Sequence, residues 1–191
     1  MLKIHLLSLL LITCLFHLTA NPLKDSLKDI VYGNEKIDEI QANGFVKLLG
    51  TQVNNKTKIQ GKLYCSKASI GQIIVNGPAT IIESTIRGRA VIKGSLKVSD
   101  TTFLENLEIT ATSAEISSST LNSIFIFRPK NYSGTLLLKL NEQTLLKGSV
   151  IFESPPGKVI SKNGSQVKSS IVNGTLSIEE DLFNEDPINY P

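Results

Sequence analysis

Residues 75–110, VNGPATIIESTIRGRAVIKGSLKVSDTTFLENLEIT, repeat one pattern of apolar positions at an interval of seventeen residues. Gly77 and Gly94 hold the same place in that pattern. Two residues after each glycine an apolar-x-apolar pair begins, as at Leu96 and Val98. Because side chains alternate between the two faces of a strand, such pairs predict short strands with one buried face.

The same frame extends well beyond this stretch. Its anchors, spaced 16 to 18 residues apart, are Gly44, Gly61, Gly77, Gly94 and Thr112. The position four residues after each anchor holds Leu48, Cys65, Ile81, Val98 and Ile116. The position nine residues after holds Val53, Ile70, Ile86, Phe103 and Leu121. Each frame then closes with one more alternating pair, from Thr57/Ile59 in the first to Ile124/Ile126 in the fifth.

A frame of this length fits one circuit of a coiled chain. Seventeen residues at about 3.3 Å each span about 56 Å, which is enough for one turn of a narrow three-sided coil. Strands then return beside their equivalents at about 4.8 Å, and like positions stack in columns. We expect the recurring glycines at a corner that requires a positive φ. Hairpins in a β-sandwich are the alternative, since Asn-Gly favours tight turns, but they do not explain five frames in register.

The predicted fold class is therefore all-β, a single-stranded parallel β-solenoid (right-handed β-helix) with about 17 residues per turn and a short N-terminal cap. We expect a signal peptide at 1–20, a cap with helical character at 21–43, a solenoid at 44–178 and an acidic tail at 179–191. The solenoid is expected to be regular to residue 127 and looser after it.

The first twenty residues resemble a secretory signal peptide. Lys3 precedes a mostly apolar run, and Ala20 precedes Asn21-Pro22. Lipidation at Cys14 is the weaker alternative, because Thr13 fits a lipoprotein processing site poorly. Cleavage near Ala20 predicts a secreted, periplasmic or cell-envelope protein.

The composition argues against catalysis. Both histidines, His5 and His17, lie in the signal segment, so the exported chain has none for a Ser-His-Asp triad or a Cys-His pair. Asp100 is the only aspartate between residues 44 and 127, so no acidic calcium site is indicated. Cys65 stands in an inward column and is expected to be a buried small hydrophobe. We predict no enzymatic activity, no metal, no cofactor and no small-molecule substrate.

Charge is distributed unevenly along the repeat. Residues 44–99 carry nine basic side chains against Glu83 alone, whereas residues 100–116 carry four acids and no base. The candidate binding residues are a basic strip on the outer surface, Lys56, Lys58, Arg87, Arg89 and Lys93. Such a strip suits an anionic glycan or lipid surface. Nucleic acid is not expected, because few aromatic residues are available for stacking on bases.

The pattern over residues 44–127, carried by VNGPATIIESTIRGRAVIKGSLKV, resembles the bactofilins. That resemblance implies a right-handed, three-sided β-helix that polymerises end to end without nucleotide. Bactofilins are cytoplasmic, whereas we expect this chain to be exported.

Two functions are therefore expected. The first is an exported, non-enzymatic structural or self-assembling β-helix protein, whose basic and acidic ends could meet head to tail. The alternative is a monomeric binding module or adhesin that uses the basic strip. Four sequons could carry glycans in a eukaryotic secretory pathway: Asn55, Asn131, Asn163 and Asn173.

Overall fold

A computed structural model describes residues 29–179. The predicted signal peptide and nearly all of the predicted acidic tail lie outside the described residues. The 23 strands, in chain order, are β1 (Ile30–Tyr32), β2 (Lys36–Ile37), β3 (Ile40–Asn43), β4 (Val46–Leu49), β5 (Gln52–Gln60), β6 (Leu63–Ser66), β7 (Ser69–Asn76), β8 (Ala79–Ile82), β9 (Thr85–Ile86), β10 (Ala90–Ile92), β11 (Leu96–Ser99), β12 (Thr102–Phe103), β13 (Leu107–Thr110), β14 (Ser113–Ser117), β15 (Thr120–Leu121), β16 (Ile124–Phe127), β17 (Leu136–Asn141), β18 (Leu145–Leu146), β19 (Val150–Phe152), β20 (Gly157–Lys162), β21 (Gln166–Val167), β22 (Ile171–Val172) and β23 (Gly174–Glu179). No helix long and apolar enough to cross a membrane occurs among residues 29–179.

All strand pairings among residues 29–179 are parallel, and strands inside the coil pair with their equivalents in the turns before and after them. Face A is the nine-stranded sheet β1-β4-β6-β8-β11-β14-β17-β20-β23. The second sheet has 14 strands and supplies two faces, because β5 and β7 run across the corner between them. Face B contains β2, β9, β12, β15, β18 and β21, and face C contains β3, β10, β13, β16, β19 and β22. The chain is therefore a three-sided parallel β-solenoid, as predicted, and β23 opens its ninth turn.

The strand register places the members of each predicted column opposite one another in successive turns. Leu48 pairs with Cys65, Cys65 with Ile81, and Ile81 with Val98. Thr57 pairs with Ile73 and Ile59 with Val75 on face C. These inward side chains are buried, and the apolar ones form one continuous core. The alternation read from the sequence is thus the alternation between the core and the outer surface.

The solenoid also continues in register after residue 127. Leu138 and Leu140 pair with Ala114 and Ile116, and Val150 pairs with Ile124. Turns after residue 127 are longer than seventeen residues, as the pairing of Leu145 with Gln166 shows. The largest insertion lies at one corner, where residues 128–135 separate β16 from β17. The Arg128 guanidinium holds this insertion together by donating to the carbonyls of Gly134 and Pro155, at 2.6 and 3.0 Å.

The helical character expected between residues 21 and 43 is wrong for the part that the structure describes. Residues 30–43 form strands β1, β2 and β3, which are already a turn of the solenoid. Ile30 and Tyr32 pair with Val46 and Leu48 and so occupy the same inward columns. The sequence does not indicate these strands, because Gly33 and several charged residues interrupt the apolar pairs in this turn.

The anchor glycines stack on one another at the corner between faces C and A. Gly61, Gly77 and Gly94 have φ values of 139°, 151° and 158°. A Cβ at Gly61 or Gly77 would overlap the backbone carbonyl of the anchor glycine one turn before it. Glycine is therefore required here for the close approach of successive turns as well as for the positive φ.

A row of buried hydroxyl groups lines the corner between faces A and B. The Thr101 hydroxyl donates to the Ser99 carbonyl at 2.8 Å and accepts from the Ser84 amide at 3.3 Å. Ser119 repeats the arrangement one turn later, accepting from the Thr101 amide at 3.0 Å. These hydroxyls satisfy backbone groups that the turn leaves without strand partners. Seven residues after each anchor glycine stand Thr51, Ala68, Ser84 and Thr101, so the sequence carried this signal.

We predict that Gly77→Ala destabilises the protein by at least about 2 kcal/mol, because the new methyl group meets backbone and the φ is strained. Gly33→Ala is the matched control. Gly33 has open space around its Cβ position, and the change should stay within about 0.5 kcal/mol. Chemical denaturation of both variants tests this, and equal losses would contradict it.

Two buried threonines should respond in opposite ways to replacement by valine. Thr101→Val leaves the Ser84 amide without its partner and should cost about 1–3 kcal/mol. Thr57→Val removes a buried hydroxyl that has no hydrogen-bond partner in the structure, and should be neutral or stabilising. Unfolding free energies of unglycosylated protein measure both, and a costly Thr57→Val would refute the assignment.

Candidate functional site

The predicted basic strip is divided among different positions on the coil. Lys56 and Lys58 lie on face C in the second turn, and Arg87, Arg89 and Lys93 belong to the fourth. The residues that separate them in the third turn are uncharged, since Lys56 pairs with Gln72 and Lys58 with Ile74. The five side chains therefore do not form one continuous basic strip.

Arg87 is turned toward the backbone of the coil. Its guanidinium donates to the carbonyls of Val53 and Asn54, at 2.9 and 3.2 Å, and to the Ser69 hydroxyl at 3.3 Å. These carbonyls lie where the register between β5 and β7 shifts. Arg87 thus supplies donors to a bulged corner and has a structural role.

Arg89 forms an ion pair with a carboxylate on its own face. Its guanidinium donates to both oxygens of Glu108, at 2.7 Å each. The hydrogen bonds that Arg89 donates to Glu108, together with the negative charge of that carboxylate, raise the pKa of the exposed Arg89 guanidinium. Of the predicted strip, Lys56, Lys58 and Lys93 remain without an ion pair to any of residues 29–179.

The charge polarity expected between the two ends of the coil also differs in the structure. The described coil begins one turn earlier than predicted, and that first turn carries Asp29, Glu35, Asp38 and Glu39 against Lys36 alone. Lys56, Lys58 and Arg87 lie inside the coil rather than at its end. Charge on these three residues is therefore not positioned for an end-to-end contact.

An outward row of apolar residues runs along face C and was not anticipated. The row contains Ile74, Val91, Phe125, Ile151 and Val172, with Glu108 between Val91 and Phe125. All except Val172, which is exposed, are partly buried. The inward frames did not indicate this row, because alternation predicts polar residues on the outer surface.

Face A carries a larger set of lysines than the predicted strip. Its outward residues include Lys47, Lys62, Lys97, Lys139, Lys158 and Lys162. Acids that contact them include Asp29, Glu115 and Glu179. In sequence these lysines are dispersed over more than a hundred residues, and only the stacking of turns collects them on one face.

The middle of face A forms a shallow groove along the solenoid axis, here called the lysine groove. Its lining includes Lys62, Lys97 and Lys139, with short residues such as Thr80, Ser95 and Ser113 between them. At its N-terminal end, the Phe45 ring lies 4.8 Å from the ammonium groups of Lys47 and Lys62. The groove therefore combines cationic groups with hydroxyl groups on a rigid sheet.

Cys65 is a buried thiol in the inward column, as expected. Its Sγ lies 3.4 Å from the Ser84 hydroxyl. Burial raises the pKa of the thiol to about 11, which keeps it protonated at neutral pH. Among residues 29–179, no three His, Cys, Asp or Glu side chains come together in a way that could hold a metal ion.

No protein-family model, no curated protein and no solved structure matches this chain.

The Cys65 thiol should make stability depend on pH in the alkaline range. Because its pKa is raised in the folded state, its contribution to stability is complete below about pH 8.5, the ordinary thiol value, and falls as the pH rises toward 11. The difference in unfolding free energy between the wild type and Cys65→Ala should therefore shrink between about pH 8.5 and 11. A constant difference across that range would contradict this.

Proposed function

We propose that this protein is an exported, non-enzymatic structural β-solenoid, secreted or held in the cell envelope, that assembles by stacking its coils end to end. Support for export comes from residues 1–20, which have the charge and hydropathy pattern of a signal peptide. The likeness of residues 44–127 to bactofilins, whose β-helices polymerise, adds support for assembly.

The observation that carries this proposal is the exposure of inward apolar residues at the C-terminal end of the coil. Leu176 pairs with the buried Val159 and continues its inward column, and Ile178 continues the column of Ser161. Yet Leu176 is 45% exposed and Ile178 is 69% exposed. The apolar core thus runs to the last described strand, where residues 29–179 offer nothing to cover it.

The edge strands at the two ends of the described coil are also uncovered, because each has a partner on one side only. Among the described residues, β1 pairs only with β4, and β23 pairs only with β20. An unpaired parallel edge presents free amide and carbonyl groups that favour pairing with another strand. A head-to-tail contact between such edges does not close on itself, so repeated contacts build a fibre.

This contact should be governed by the inward residues of β23. Light scattering on a sizing column and electron microscopy should show elongated assemblies of the purified wild type that persist at high salt, since burial and edge pairing are not screened. Leu176→Lys combined with Ile178→Lys should shift the protein to monomers, because two charges would then lie inside the contact.

The control carries the same two charges on the other side of the same strand, as Thr175→Lys with Ser177→Lys. Both residues point outward, so assembly should be retained. Equal loss in the two variants would refute an end-to-end contact through the core. A wild type that is monomeric at every salt concentration would refute assembly itself and favour the monomeric binding module.

A further inference from the structure

The lysine groove on face A has a regular arrangement of charge along the coil. Lys97 and Lys139 stand in one outward row, separated by Glu115. Lys62 lies in the adjacent row two turns before Lys97. Because neighbouring strands are about 4.8 Å apart, these three ammonium groups recur at intervals of about 10 Å along the axis.

The positive charge of the groove is only partly compensated. Lys62 and Lys139 form no ion pair with any residue from 29 to 179. The Lys97 ammonium lies 3.9 Å from Glu115, but the lysine side chain is 75% exposed, so this pair is weak. Glu115 also accepts from the Asn141 amide at 3.2 Å. A ligand anion can therefore reach all three lysines.

We propose that the lysine groove binds a linear anionic polysaccharide laid along the solenoid axis. The three lysines would contact successive carboxylate or sulfate groups of the polymer. The hydroxyls of Thr80, Ser95 and Ser113 would hydrogen-bond sugar hydroxyls between those contacts. The groove lies on the side of the coil rather than at an end, so this inference does not depend on end-to-end assembly.

The shape and composition of face A favour a polysaccharide over other anionic partners. The groove runs in one direction and is several strands long, which suits an extended chain. Its lining from Pro78 to Ser113 is free of aromatic rings, so bases would find no stacking surface there. Leu137, the outward leucine of the lining, is partly buried, so the groove offers little apolar surface that would insert into a membrane.

Binding of heparin, a sulfated polysaccharide, by the full-length protein tests this inference. Affinity should fall at least about tenfold between about 50 and 200 mM salt, because each lysine contact releases counterions from the polymer. The variant Lys62→Gln/Lys97→Gln/Lys139→Gln should bind at least about tenfold more weakly at the lower salt concentration. Glu115→Gln should bind about twofold to threefold more tightly, because it removes the negative charge inside the groove.

The matched control removes three lysines from face C, as Lys56→Gln/Lys58→Gln/Lys93→Gln. It changes the net charge equally and should alter heparin affinity by less than about threefold. Unfolding midpoints and light scattering should show that both triple variants keep the fold and assembly state of the wild type. Their agreement with the wild type would separate a failure of this inference from a failure of assembly.

Several results would overturn the inference. One is equal loss of heparin affinity in the two triple variants, which would indicate general attraction by a basic protein. A second is no measurable heparin binding by the wild type at low salt. A third is tighter binding of a single-stranded oligonucleotide, or of vesicles containing an anionic phospholipid, through the same three lysines.

Discussion

The structure depends on one constraint, the parallel pairing of each strand with its equivalent one turn away. That pairing fixes the distance between like positions at about 4.8 Å, so every side chain has its own kind of position above and below it. Each column can therefore hold only side chains that pack against one another at that distance. Aliphatic residues fill the inward columns, as at Leu48, Cys65 and Ile81.

The same spacing applies at the corners, but other interactions stabilise them. At Gly61, Gly77 and Gly94, on the corner between faces C and A, the backbone of one turn lies directly against the turn before it, and only glycine leaves enough room there. At the corner between faces A and B, the chain turns through residues with positive φ such as Lys67, Glu83 and Asp100. The buried hydroxyls of Ser84 and Thr101 then bind the backbone groups that this turn exposes. Two corners of one coil are thus stabilised by separate means, backbone contact and side-chain hydrogen bonds.

A solenoid presents two kinds of surface, and the two proposed functions use them separately. The ends carry unpaired edges and the exposed core residues Leu176 and Ile178, which suit association with another strand. The faces carry outward rows whose chemistry does not affect the core, so charge can vary freely there. The lysine groove lies on such a face, and self-association at the ends would repeat it from one copy to the next.

The sequence alone determined the fold class and the inward columns, because stacking imposes the period of the coil directly on apolar residues such as Leu96 and Val98. It did not reveal the strands of residues 30–43, where charged residues interrupt the period. Nor did it reveal how the outward side chains are paired. Packing of the core places no constraint on outward residues. The contacts of Arg87 and Arg89 therefore depend on partners in other turns. Only the tertiary structure could decide which lysines share a face, because that depends on corner lengths summed over several turns.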